Sequence, residues 1–234
     1  MRKAPVAIAL CTVLASSLIA TATETPTLAD FLDSAALDSS IDVSALDEML
    51  RGKERRVLRW TEAPRLVVLM SVMQYTADGT AHIATGETLS DGEAEDLVTD
   101  LTDALALLSG GAHARFADVQ RQVVSAGTPA RVANRGDIVV GRYRGVRDRL
   151  QTLGLGGRRW TGDGRITSGA ILLDDEYDRT SEIRHLLRAH ELGHALGYNH
   201  VTSRASIMNP RIGSHPTEFD RQAARIAFSL LPAR

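Results

Sequence analysis

The sequence predicts an α/β (α+β) fold, and three observations carry that prediction. Arg65–Met73 is a nearly continuous apolar run of the kind that is buried on both faces of a sheet. Ser90–Glu93 has the pattern of a capping box, and apolar residues follow it at helical spacing as far as Leu108. Short apolar runs then alternate with helical patterns toward the C-terminus, so we expect strands and helices to share one domain.

The remaining elements are predicted from the same kinds of pattern. Asp137–Gly141 and Gly169–Leu173 are short apolar runs that indicate two further strands. A helix is expected from about Glu182 to Leu196. A last helix is expected from Thr217 onward, with its apolar residues on one face, and Pro232 should stop it.

Length and charge limit the classes of protein to consider. A chain of 234 residues can hold one domain with additional segments, or two small domains, and can bury a sizeable core. The formal net charge is −2, which gives no electrostatic case for nucleic-acid binding.

Residues 1–22 have the features of a secretory signal peptide. Two basic residues precede an apolar stretch, and Ala20-Thr21-Ala22 is a plausible cleavage site, so cleavage is expected after Ala22. An uncleaved membrane anchor is one alternative, but the small residues favour cleavage. Lipid attachment at Cys11 is another, but Leu10 stands where a small residue is needed. Cys11 is the only cysteine, so the secreted chain would contain no disulfide. No stable membrane insertion is expected after the signal is cleaved.

Residues 23–56 are predicted to form an acidic N-terminal segment or short pro-region. Positions 23–50 hold seven acidic and no basic side chains, which favours a loosely ordered arm. The basic cluster Arg51–Arg56 would suit a processing cut. The main domain is therefore predicted to span 57–234.

The most informative stretch reads H-E-x-x-H-x-x-G-x-x-H. His190 and His194 lie one helical turn apart on one face, so both imidazoles can reach one metal ion. Gly197 allows the chain to turn back and bring His200 to the same ion. Three neutral imidazoles leave a fourth position of Zn²⁺ for water, as catalytic zinc sites do, and Glu191 is placed to take a proton from that water. The alternatives are core histidines with separate partners and a zinc site without catalysis. Glu191 is not needed for metal binding, so its presence favours catalysis.

A methionine lies eight residues after the third histidine, in the segment Ser206–Pro210. With this segment the chain resembles the metzincin zinc metalloproteases, the matrixin-like branch most of all, in which a methionine-containing turn follows the long zinc motif. The resemblance implies a twisted mixed sheet, a zinc helix, a Met-turn and a C-terminal helix. It also implies that Met208 is a hydrophobic support beneath the metal and not a ligand.

The sequence departs from the family pattern in two places. Val201 follows the third histidine, where matrixins usually have serine. Astacins have a tyrosine two residues after the methionine, whereas this chain has none at that position.

The resemblance further implies that the strand before the zinc helix lines the cleft and pairs with substrate backbone. Gly169–Leu173 is the candidate. The family's main side-chain pocket is walled by the loop that corresponds to Arg211–Pro216.

The acidic run Asp174-Asp175-Glu176 is similar to one that binds calcium in matrixins. Asp174 and Glu176 would be the ligands, because carboxylates at such spacing suit Ca²⁺. The alternative is a set of acidic residues at a helix N-terminus. The sequence favours this second interpretation, since the family's neighbouring glycine-rich ligand loop is poorly matched.

Together these features predict a secreted, monomeric zinc endopeptidase with a metzincin-like catalytic domain over 57–234. Glu191 would be its general base, and proteins or peptides its substrates. Two alternatives remain open from the sequence: a zinc-containing protein that binds peptides without cutting them, and a zinc amidase.

Overall fold

The computed structural model of the chain describes residues 42–75, 82–132 and 134–229, so the predicted signal peptide at 1–22 lies outside the described residues. The strands are β1 (Arg65–Leu69), β2 (Ser71–Tyr75), β3 (His82–Thr88), β4 (Val119–Gln122), β5 (Asp137–Arg144), β6 (Gly154–Trp160) and β7 (Ile166–Asp174). The helices are α1 (Val43–Leu50), α2 (Asp91–Leu108), α3 (Val146–Leu150), α4 (Asp175–Thr180), α5 (Arg184–Leu196) and α6 (Glu218–Ser229), with a 3₁₀ turn at Gly52–Glu54. No helix in the described part of the chain is long and apolar enough to cross a membrane.

The seven strands form one mixed, mostly parallel sheet. β1 and β2 follow one another and both pair in parallel with one side of β5, while β7 pairs in parallel with its other side. β4 extends the sheet in parallel beyond β1, and β3 runs antiparallel to β2. β6 runs antiparallel to β7 at the opposite edge. This arrangement confirms the predicted α/β (α+β) class and the mixed sheet.

Several predicted elements are present with shifted ends. The strand predicted over Arg65–Met73 is two strands separated at Met70, and an irregularity in the pairing of β2 with β3 lies just beyond that break. The capping box is formed, since Ser90 N–H donates to Glu93 Oε2 at 2.8 Å and Glu93 N–H donates to Ser90 Oγ at 3.3 Å. α5 begins at Arg184, two residues later than predicted.

A buried ion cluster fixes α5 against the sheet and α2. Asp178 accepts from Arg142 Nε of β5 at 2.8 Å and from Arg188 Nε of α5 at 2.7 Å, and all three side chains are almost fully buried. Arg188 also contacts Asp100 of α2 at 2.8 Å. Because a buried charge that loses its partner costs several kcal/mol, on the order of 3–5, this cluster holds the helix in one place.

The N-terminal segment differs from the prediction over its last part. Residues 42–50 were expected to belong to a loosely ordered arm, but they form α1, which packs against α6 and buries Ala45, Leu46, Met49 and Leu50. Asp42 caps the helix by accepting from Ala45 N–H at 3.1 Å. Asp47 is exposed, while Asp42 and Glu48 are half-buried, so the acidic side chains did not prevent burial of the apolar face. The folded domain therefore begins before residue 57.

Candidate metal centre and active site

The three histidines of the motif converge on one point. His190 Nε2 lies 3.2 Å from His200 Nε2, and His194 Nε2 lies 3.1 Å from it. The three potential ligand atoms all lie within 4.8 Å of one another. No second group of three such side chains comes together among the described residues. Three nitrogen donors at this separation fit a shared metal ion, and imidazoles suit zinc.

Backbone carbonyls hold two of the imidazoles in the form that a metal needs. His190 Nδ1 lies 2.8 Å from the Ile207 carbonyl and His194 Nδ1 lies 2.9 Å from the Tyr198 carbonyl. A carbonyl can only accept, so each Nδ1 carries the proton and each Nε2 keeps its lone pair. Burial lowers the pKa of His190 to about 4 and that of His194 to about 3. Both rings are therefore neutral near pH 7, as metal ligation requires.

The centre is open on one side. His190 is buried and His194 is half-buried, while His200 is exposed at the end of the turn that follows α5. A closed structural site would have its donors covered, whereas this gradient leaves solvent access beside the three nitrogens. The geometry is thus suited to a metal that also binds water or substrate.

Gly197 ends the helix and starts the return of the chain toward His200. It is the C-cap of α5, with φ +119°, in the left-handed region. A Cβ at this position would overlap the carbonyl of Leu58. Both the backbone angle and the neighbouring carbonyl therefore require glycine here.

Met208 lies beneath the helix, in contact with Gly193 between two of the histidines. Its side chain is fully buried, and its carbonyl accepts from Val201 N–H at 2.9 Å, next to His200. The methionine sulfur thus packs beneath the histidine cluster, and the Met208 carbonyl contacts Val201, the residue after His200.

Asp220 of α6 organises that turn, and the sequence analysis missed it. Its buried carboxylate accepts from Ser206 Oγ, from Ile207 N–H at 3.2 Å and from Thr217 N–H at 2.6 Å. Since the Ile207 carbonyl holds His190, Asp220 supports the first histidine through one intermediate residue. An Asp in the first turn of a helix was the only sequence signal, and that signal is shared by many exposed residues.

The Glu191 side chain lies against strand β6, which also packs beside His194. Its side chain is 3 % exposed, and it accepts a hydrogen bond from Gly156 N–H. A Cβ on Gly154 would lie 2.7 Å from Glu191 Oε1, and one on Gly156 would overlap the Glu191 carbonyl. The Gly-Leu-Gly-Gly run at 154–157 therefore lets strand and helix approach closely, as glycines within strands often do.

Burial controls the protonation of Glu191. Loss of hydration raises the pKa of its carboxyl to about 8, although the Gly156 N–H favours the carboxylate and lowers the pKa. A dication held by the neighbouring histidines would lower that pKa again, because it favours the charged form. The group is thus suited to exchange a proton near neutral pH.

β6 is the edge strand beside the site, so the prediction that Gly169–Leu173 is the strand lining the cleft is wrong. Gly169–Leu173 lies within β7, which pairs on both sides, with β5 and with β6. β6 pairs only with β7 among the described strands, so its other edge has no strand partner there, and one face of β6 packs against α5 at Gly154 and Gly156. The sequence did not indicate β6 because it is rich in glycine and arginine and lacks apolar alternation.

Replacing Gly156 by alanine should destabilise the protein, because the added Cβ meets the α5 backbone and the His194 Cβ. We expect a loss of about 1–3 kcal/mol in the free energy of unfolding, the usual cost of overpacking. Gly157→Ala is the matched control, since a Cβ there has no neighbour within 4 Å. Urea unfolding of both variants checks the prediction, and equal stability of the two would contradict the close approach of β6 to α5.

The acidic run at Asp174 has partners within the protein. Asp174 caps α4 by accepting from Tyr177 N–H at 3.0 Å and pairs with Arg147 at 3.2 Å. Glu176 lies 3.6 Å from the same arginine, and Asp175 lies 2.7 Å from Arg179. This arrangement matches the helix N-terminus interpretation of these residues. It gives no support to calcium ligation by Asp174 and Glu176.

The sequence model of the matrixin family matches residues 76–224, well over half of the chain, and the match includes the three histidines and Met208. A search of curated proteins finds no match. Matrixins bind a catalytic zinc, and the histidine cluster is placed to hold one. The chain therefore belongs to the matrixin family of metzincin zinc metalloproteases.

Proposed function

We propose that this protein is a secreted zinc endopeptidase in which Glu191 is the general base. The observation that carries the proposal is the position of Glu191, buried between the histidine-bearing helix and the edge strand β6. His190, His194 and His200 would hold the zinc, with Met208 and Gly197 supporting their arrangement. A carboxylate in this position is not needed to bind the metal, so its role is chemical.

In the proposed mechanism, a side chain of the protein accepts one proton and later donates it. Bound zinc supplies Lewis acidity, which makes a water nucleophilic near pH 7 and stabilises negative charge on the substrate carbonyl oxygen. Glu191 accepts the proton of the attacking water and then delivers it to the leaving nitrogen. The Gly156 N–H holds the carboxylate in place during both transfers. The chain has no tyrosine two residues after Met208, so no astacin-type hydroxyl assists the developing oxyanion.

Substrate backbone is proposed to bind along β6. The side of this strand that faces away from β7 has no strand partner among the described residues. An extended peptide can add to such an edge through main-chain hydrogen bonds. That binding mode presents a scissile carbonyl beside the three histidines, and it favours unfolded or extended segments of protein substrates.

A cavity between α2, the start of α5 and the segment 207–216 is the candidate side-chain pocket. It has a volume of about 260 Å³, and its lining combines the apolar residues Leu186, Ala189, Ile207 and Pro216, among others, with Asp100, Asp103, His185 and His215. Ile207, which is part of this lining, also holds His190 through its carbonyl, and this link supports the assignment. We expect this pocket to select a large apolar side chain next to the cleaved bond.

Secretion is proposed from the sequence alone, with cleavage after Ala22 as the expected start of the secreted chain. The predicted signal at residues 1–22 lies outside the described residues, as does the acidic stretch up to residue 41. We propose that the protein acts as a monomer on protein or peptide substrates. Any pro-region would have to end before α1, because α1 packs against α6 as part of the folded domain.

Cleavage of a proteome-derived peptide library tests the proposal. The chain beginning at residue 23 is loaded with zinc and incubated with the library, and cleavage sites are identified by mass spectrometry. We expect internal cuts that a zinc chelator abolishes, with large apolar residues enriched at one position beside the cut. Charged residues enriched at that position would contradict the assigned pocket.

The same experiment separates the alternatives. Full zinc occupancy without any cut in the library would favour a protein that binds peptides without turnover. Hydrolysis of small amides without cuts in longer peptides would favour a zinc amidase. Internal cuts in long peptides support the endopeptidase.

A further inference from the structure

The loop that carries His200 is exposed, and it depends on contacts from outside the motif. On one side, Val201 N–H donates to the Met208 carbonyl at 2.9 Å. On the other side, the contacts come from residues 42–54, which we name the N-terminal brace. These residues comprise the N-cap Asp42, helix α1 and the 3₁₀ turn.

Glu48 makes the largest set of contacts with this loop. Its Oε1 accepts from Thr202 N–H at 2.8 Å and from Thr202 Oγ1 at 2.7 Å. Its Oε2 accepts from Ser203 Oγ at 2.8 Å and from Ser203 N–H at 3.4 Å. The Glu48 carboxylate thus binds Thr202 and Ser203, the second and third residues after His200. Hydrogen bonds to a charged acceptor are stronger than those to a neutral one.

The end of α1 holds the residue before His200. The Met49 carbonyl has no partner within its own helix, as expected in the last turn. It accepts from Asn199 N–H at 2.8 Å and from Asn199 Nδ2 at 3.3 Å. Gly52 permits this close packing, since a Cβ there would lie 2.5 Å from Asn199 Cγ and its φ is +45°. The brace therefore contacts the loop on both sides of His200.

The brace also contacts the turn that holds His194. Glu54 lies 3.8 Å from Arg158 of β6, whose side chain is 9 % exposed. Arg158 donates to Asn199 Oδ1 at 2.9 Å and to the Tyr198 carbonyl at 3.2 Å. The Tyr198 carbonyl is the one that fixes His194 Nδ1. One set of polar contacts therefore joins the brace, the edge strand and the second and third histidines.

We propose that the N-terminal brace is a permanent part of the catalytic domain that positions His200 for the metal, with Glu48 as the main positioning residue. The proposal rests on the proposed zinc site. It has a consequence for processing, because the basic cluster Arg51–Arg56 follows α1. A cut in that cluster would separate α1 from the domain, so activation must occur before Asp42, and a cut at 51–56 would inactivate the enzyme.

Zinc affinity of the full chain tests this role. Glu48→Ala should raise the zinc dissociation constant about tenfold, the lower end of the effect of losing an outer-shell partner. The absorption spectrum of the cobalt(II)-loaded protein should also change, because the third imidazole is less well placed. Glu48→Gln should restore part of the affinity, since its amide oxygen can still accept from Thr202. Asp47→Asn is the matched control, because Asp47 lies on the same helix and contacts only Arg51 through its side chain.

The outcomes are distinguishable from those of the proposed function. Wild-type protein that binds no zinc would overturn the proposed site and this inference with it. Wild-type protein that binds zinc, with an unchanged dissociation constant and cobalt spectrum in folded Glu48→Ala, would overturn the inference alone. If Glu48→Ala does not fold, the double variant Thr202→Val with Ser203→Ala removes the two hydroxyl contacts with Glu48, which include the shortest of the four, and leaves the two backbone N–H contacts in place. Unchanged zinc affinity in that double variant would also overturn the positioning role.

The N-terminus of the active enzyme gives an independent test. Mass spectrometry of the purified, active chain should find a first residue before Asp42. An active species that begins at Val57 or later would show that α1 is dispensable, and the proposal would be wrong.

Discussion

Glu191→Ala should retain one zinc per chain and lose at least about 100-fold in kcat/KM, the usual lower scale of a general-base contribution. The carboxylate is buried against β6 and does not belong to the histidine cluster, so its removal should not release the metal. Zinc content by elemental analysis and peptide cleavage rates check both parts. Retained activity would show that another group accepts the proton.

A second substitution separates chemistry from packing at this position. Glu191→Gln keeps nearly the same shape, and its amide oxygen can still accept from Gly156 N–H, so the fit against β6 is preserved. It cannot accept the proton from water, so its loss of rate should match that of the alanine variant. Glu182→Gln, at an exposed position before α5, is the control and should retain full activity.

His200→Ala should lose zinc and, with it, nearly all activity. This residue supplies one of three donors, so the loss of affinity should exceed the roughly 10- to 100-fold that follows removal of an outer-shell partner. His200 is exposed, so the metal-free variant should unfold at nearly the same temperature as the metal-free wild type. Competition with a chelator measures the affinity, and calorimetry without metal measures the stability.

His185→Ala is the control for metal binding, because this histidine is exposed at the start of the same helix and lies outside the cluster. It should bind zinc as tightly as the wild type. Unchanged zinc affinity in His200→Ala would mean that a different residue is the third ligand. Loss of zinc in both variants would indicate a general effect on α5 instead.

Patterns within short stretches of sequence predicted much of the site. The helix after Ser90 and the glycine turn at Gly197 depend on local backbone chemistry, which a few adjacent residues determine. The convergence of His190 and His194 follows from helical periodicity alone. The turn that Gly197 allows predicts the return of His200 to the same point, and the structure brings it to the other two.

Sequence patterns did not predict the elements whose structure depends on contacts with residues far away along the chain. β6 is a strand because it pairs with β7 and lies against α5, and its own glycines and arginines have little strand preference. α1 was predicted as part of an arm because its acidic residues outweighed an apolar face of four residues. That face is stabilised only where α6 covers it. The sequence could not show that Asp174 pairs with Arg147, 27 positions earlier, a contact that matches the favoured interpretation of Asp174 as a helix cap.

Local periodicity and a motif of fixed spacing were enough to predict the class of fold, the three histidines of the candidate metal centre and the family. The strand beside Glu191, the contacts of Asp220 and Glu48 with the histidine loops, and the start of the folded domain could be seen only in the three-dimensional structure. Each of these depends on burial and hydrogen bonds between segments far apart along the chain. Local sequence patterns do not specify such contacts, since they depend on how the segments pack together.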